Sequence, residues 1–163
     1  MNAPRGQSFE PLEAAALLLC AIETPSLHGD RLENLCRAID AYNHAVWLLD
    51  SDDVAPIESV EWSRPDYNDQ DIRTSLSSHF PELGFYWQAL DMNMASGEEG
   101  KLAVGDAIDD LLDITKELRE VAWFEKHHGK EEALAALRFR HSSHLYMHVF
   151  PLRLYLEGKI RVG

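Results

Sequence analysis

DRLENLCRAIDAYNHAVWLL, residues 30–49, places Leu32, Leu35, Ile39, Tyr42, Val46 and Leu49 alternately three and four positions apart. That spacing returns each side chain to one face of an α-helix, whereas a strand would need a period of two. Asp30, with Glu33 three residues on, forms a capping-box variant at its start. Just upstream, FEPLEAAALLLCAIE (residues 9–23) carries Pro11 in a first turn, where proline is tolerated, and ends at Thr24-Pro25. Its run from Ala14 to Ile22 is apolar on every face, which predicts a central helix. A short connection makes the pair an antiparallel helical hairpin.

The same reading extends downstream. Ile72, Leu76 and Phe80 predict a third helix over 69–80, stopped by Pro81. LGFYWQALD (83–91) reads as a short helical turn whose rings, Phe85, Tyr86 and Trp87, belong in the core. A fourth helix is expected over 104–126, with His128-Gly129 as its stop. A fifth is expected over 130–150, where Pro151 kinks or ends it and a further turn or two follows. Residues 50–68 lose periodicity and make one long loop. Asp50, Asp52 and Glu61 hold three places of a calcium-loop pattern, but Val54 and Ala55 fill those needing an oxygen ligand and a glycine. The predicted fold is all-α. One irregular bundle of about five helices spans residues 9–158, between a flexible N-terminus (1–8) and a frayed C-terminus (159–163).

A chain of 163 residues is one domain at roughly 150 residues each. Its 28 acidic and 15 basic side chains leave a net charge of -13. That balance argues against nucleic acid, which needs clustered Lys and Arg, and against an anionic membrane surface. It suits solubility or a basic partner. The charge is uneven: residues 1–125 hold 25 acidic and 8 basic groups, while 126–163 hold 7 basic, 3 acidic and five of the eight histidines. The longest apolar run, Ala14–Ile22, falls short of the ~20 residues of a membrane span, and the expected location is cytoplasmic. Cys20 and Cys36 sit among apolar residues and read as buried thiols.

One cluster can carry chemistry. In HSSHLYMH (141–148), His144 and His148 lie one helical turn apart, with His141 at the margin of the same face. Histidines beside an apolar stripe read first as structural polar pairs between helices; two so spaced can also chelate a divalent metal, with Asp109 and Asp113, one turn apart on the preceding helix, completing the shell. The zinc-protease pattern fails, because Leu145 stands where its glutamate belongs. Asp106, Asp109, Asp110, Asp113, Glu117 and Glu120 gather roughly opposite the apolar face of helix four. This stripe should face water, as a dock for a basic partner or for the chain's own Arg138, Arg140 and Arg153. No phosphate loop or nucleophile elbow is present, so no catalytic or cofactor-binding residue is assigned.

Three stretches resemble bacterial domain-of-unknown-function family 5063: PELGFYWQALD (81–91), DDLLDITKEL (109–118) and HLYMH (144–148). Leu145-Tyr146 stands where that family tends to have Trp-Gly. The resemblance implies a small helical bacterial protein and transfers no catalytic residue. The expected role is non-enzymatic: a structural or interaction protein with a partner of unknown identity, basic if the acidic stripe is its dock. The alternative is a divalent-metal-binding helical protein, a hydrolase in one version, using His144 and His148 with Asp109 and Asp113.

Overall fold

A computed structural model describes residues 9–25, 30–49, 65–89 and 102–162. The N-terminal segment 1–8, the loop with its failed calcium pattern through residue 64, and the polar MASGEEG loop lie outside the described residues. The elements are α1 (Pro11–Glu23), α2 (Arg31–Trp47), α3 (Asp69–His79), β1 (Phe85–Ala89), β2 (Leu102–Asp106), α4 (Ala107–His127), α5 (Lys130–Arg140) and α6 (Tyr146–Val162). A π-helical segment, His141–Leu145, joins α5 to α6 in one unbroken rod. Among the described residues the fold is an irregular helical bundle with one small antiparallel strand pair, and no helix is long and apolar enough to cross a membrane.

The predicted seam of α2 is realised. Leu35, Ile39, Tyr42 and Val46 are buried, with Leu32 and Leu49 packed beside them. Asp30 precedes the helix without a side-chain cap, and Glu33 instead binds Arg37 one turn along. The bundle's centre is α4 rather than the expected α1. It packs against α1, α3, α5 and α6, while α1 leaves Leu17 and Cys20 exposed. Its start is set by Asp106, whose carboxylate accepts from the N–H groups of Ile108 and Asp109, three residues later than periodicity alone suggests. It ends at His127, before Gly129 with φ +104°, a left-handed conformation that glycine adopts without strain.

Two further expectations are corrected. The FYWQA segment is a strand, paired so that Tyr86 faces Gly105 and Trp87 faces Val104. Aromatic residues suit a half-buried pleat. Alternation turns Tyr86 inward and leaves Phe85 and Trp87 exposed, outside the core they were assigned to. Pro151 neither ends the helix nor separates a frayed tail: α6 runs through it to Val162. An interior proline costs about 3 kcal/mol. Val149, Leu152 and Leu156, all fully buried, return about 1.5–3 kcal/mol each and outweigh it.

Candidate metal centre

The rod α5–α6 runs antiparallel to α4, and the two face each other through a ladder of polar pairs. Glu120 meets Arg140 at 2.7 Å, Glu117 meets His144 at 2.6 Å, and Asp110 meets His148 at 2.8 Å. The basic members recur every four residues, one per turn. The acids belong to the stripe expected to face water. Because α4 is central, its polar face is covered by the C-terminal rod, and Asp110 and Glu120 are buried. Arg153 reaches a different acid, Asp40 of α2, through two hydrogen bonds. Arg140, His144, His148 and Arg153 of the basic C-terminal segment therefore answer the acidic body within the fold.

The two histidines are held alike. Each turns Nδ1 to a carboxylate of α4. An ionised carboxylate can only accept, so each Nδ1 carries the proton and each Nε2 points the other way. The two Nε2 atoms lie 3.1 Å apart, and Asp113 Oδ2 is 3.5 Å from Nε2 of His148. One ligand atom from each of Asp113, His144 and His148 falls within 4.8 Å of the others. Two imidazole lone pairs facing at this distance repel each other unless a cation lies between them: a proton or a metal ion. Metal–nitrogen bonds of about 2.0–2.1 Å at a near-tetrahedral angle separate two ligand atoms by about 3.3 Å, so the spacing fits such an ion.

The electrostatics agree. Burial works against a charged His148, but the hydrogen bond it donates to Asp110 and the charges of Asp110, Asp113 and Glu117 outweigh it and raise its pKa above the usual value. The second oxygen of Glu117, Oε2, is buried without a hydrogen-bond partner among the described residues. Three carboxylates thus surround two imidazoles, with excess negative charge for a cation to neutralise. His144 and Asp113 are each about a third or more exposed, which leaves one side of the cluster open to solvent.

Of the sequence-predicted ligands, His144, His148 and Asp113 come together. Asp109 does not: it points away to Arg73, at 2.6 Å. Its place beside the histidines is taken by Asp110, one position on and about 100° around the helix. His141 is also separated. The π segment widens the turn between it and His144, and its Nδ1 lies 3.2 Å from the buried hydroxyl of Tyr42. The hydroxyls of Ser142 and Ser143 both donate to the Phe139 carbonyl, the back-bonding that loosens a helix locally. Burial lowers the pKa of His141 and raises that of Tyr42, so a neutral imidazole and a neutral phenol share this hydrogen bond. Sequence reasoning missed Asp110, Glu117 and Tyr86 as members of the site. Tyr86 donates to Asp110 Oδ2 at 2.5 Å.

No protein-family model, curated protein or solved structure matches the chain. The chemistry of the site rests on its geometry.

Proposed function

We propose that this protein binds one divalent transition-metal ion through Nε2 of His144, Nε2 of His148 and a carboxylate oxygen of Asp113. The carrying observation is the pair of Nε2 atoms 3.1 Å apart, each imidazole fixed from behind by its own carboxylate. Carboxylates behind ligating histidines set the tautomer and strengthen the donor. Two nitrogens and one oxygen suit zinc, iron(II), cobalt(II) or nickel(II) better than calcium or magnesium, which prefer all-oxygen shells. Three ligands on a solvent-facing cluster leave room for a further ligand, so hydrolytic chemistry is compatible with the site. No residue here is assigned as its general base.

The three stretches that resemble family 5063 are the ones that supply these groups: Tyr86 from the first, Asp110, Asp113 and Glu117 from the second, and His144 and His148 from the third. A cytoplasmic setting accompanies this reading, supported by two free thiols, Cys20 and Cys36. The competing reading, an acidic dock for a basic partner, loses support because Asp110, Glu117 and Glu120 face the chain's own histidines and Arg140.

Elemental analysis of untagged protein and calorimetric titration with zinc, manganese and nickel test the proposal. About one equivalent of metal per chain, with a raised melting temperature, is expected for zinc or nickel. A chain that neither retains metal nor responds to any of the three ions would return the cluster to a structural role.

A further inference from the structure

The hairpin β1–β2 is tied to this cluster by one line of hydrogen bonds. The Tyr86 hydroxyl donates to Asp110 Oδ2, and the other oxygen of Asp110 accepts from Nδ1 of His148, a proposed ligand. Space for the Tyr86 ring is made by its cross-strand neighbour. A Cβ on Gly105 would lie 2.5–2.9 Å from three ring carbons, so a larger residue there displaces the ring. Burial and the neighbouring Asp110 keep the phenol protonated and therefore a donor. The hairpin has a second attachment that bypasses Asp110 and His148. Tyr155 of α6 stacks on Tyr86 with ring centroids 4.9 Å apart, and its hydroxyl accepts from the Gly84 N–H at 3.0 Å.

Resting on the metal-binding reading above, we propose that metal occupancy and docking of the β-hairpin are coupled through Tyr86–Asp110–His148. Tyr86 acts as a positioning residue for the site. A metal on Nε2 polarises the imidazole and strengthens the Nδ1–H bond to Asp110. That fixes the carboxylate in the orientation Tyr86 needs. Coupling of this kind is reciprocal: whatever factor Tyr86 adds to metal affinity, the metal adds to hairpin docking. Groups behind a ligand alter metal affinity by about 10–100-fold, and Tyr86 stands one bond further out, so about tenfold is expected. The consequence reaches the surface, because the outer face of the same hairpin exposes Phe85, Trp87, Leu102 and Val104.

Amide hydrogen exchange over residues 84–89 and 102–107, with and without zinc, tests this in the wild type, Tyr86→Phe and Tyr155→Phe, alongside zinc affinities for all three. Zinc should slow hairpin exchange about tenfold in the wild type. Tyr86→Phe should bind zinc about tenfold more weakly and lose that slowing. Tyr155→Phe should exchange faster in both states yet keep the zinc-dependent increment, which separates coupling from mere anchoring. Cobalt(II) absorption gives a second readout: the ligand-field bands should shift in Tyr86→Phe and stay put in Tyr155→Phe. Zinc binding by the wild type with no change in hairpin exchange would overturn the coupling while leaving the metal site standing. Absence of zinc binding by the wild type would overturn both.

Discussion

His141 and His144 are three residues apart on one rod, yet they inhabit opposite surroundings. His141 looks toward α2, where a buried phenol is its partner, and burial lowers its pKa. His144 looks toward α4, where Glu117 holds its Nδ1, and in the adjacent turn His148 meets Asp110, with a raised pKa. The π segment between them parts the two faces. The difference shows that chelation depends on what stands behind the imidazole as much as on the imidazole. A carboxylate behind a histidine fixes the proton on the near nitrogen and leaves the far one free for a metal, while a phenol, which can donate or accept, fixes neither.

The largest effect should come from removing the ligands. His144→Ala/His148→Ala should weaken zinc binding by more than about 100-fold, because direct ligands matter more than the groups behind them. His141→Ala should leave zinc affinity within about twofold, because His141 lies outside the cluster. Calorimetry on both proteins checks this. Equal losses would erase the contrast.

Next is the carboxylate behind the ligand. Glu117→Gln keeps the shape but can present an amide N–H to His144, which favours the wrong tautomer. Zinc affinity should fall about 10–100-fold. The substitution also leaves polar atoms in a buried place, so the melting temperature of the metal-free variant must be measured beside its affinity. A fall in stability with zinc affinity intact would make Glu117 purely structural.

A smaller effect separates the two histidines by pH. The folded-state pKa of His141 lies below its unfolded value, so the unfolded chain binds the extra proton first. The stability it confers is present above the unfolded value of about 6.5 and is lost as pH falls through its lower folded pKa. Tyr42 stays protonated throughout and faces His141 as a neutral hydrogen-bond partner; on the other side lies the ring of Phe150. His141→Gln should therefore flatten the acid side of the stability–pH curve of metal-free protein, read as the difference between variant and wild type in denaturant unfolding. Parallel curves would mean that His141 has no lowered pKa.

What the sequence could and could not reveal follows from the same geometry. The α2 seam was legible because one apolar face against one neighbour produces a clear period. His144, His148 and Asp113 were legible because chelating pairs on helices must recur every three or four residues. Asp110 and Glu117 are visible in the sequence as a stripe that reads as a water-facing dock, for a basic partner or for the chain's own arginines, but not as the carboxylates behind the histidines. A helical wheel shows that a face is polar, not that a later rod will cover it. The hairpin was hidden because twelve residues separate its strands, leaving none of the two-residue turn chemistry that betrays tight hairpins. The Ser142-Ser143 pair in HSSHL permits local loosening of the helix but does not specify a π turn, and with it the departure of His141 from the cluster.

The smallest expected effect concerns the choice between Asp109 and Asp110. Spacing favoured Asp109, four residues before Asp113 and one turn away from it. The fold instead gives Asp109 to Arg73, which also binds Asp106, the residue capping α4. Arg73 and Asp109 are both more than a third exposed, so solvent screens their attraction and a contribution below about 1 kcal/mol is expected. Arg73 keeps Asp106 when Asp109 is removed, which reduces the effect further. Asp109→Ala should thus change unfolding free energy by only about 0.5 kcal/mol and leave zinc affinity unchanged. Asp110→Ala should weaken zinc binding about 10–100-fold, since it frees Nδ1 of His148. Adjacent carboxylates on one helix would then differ by one to two orders of magnitude in metal affinity. Comparable losses from both variants would show that the site draws on the acidity of the whole α4 stripe, and that the hydrogen bonds behind the histidines do not single out Asp110.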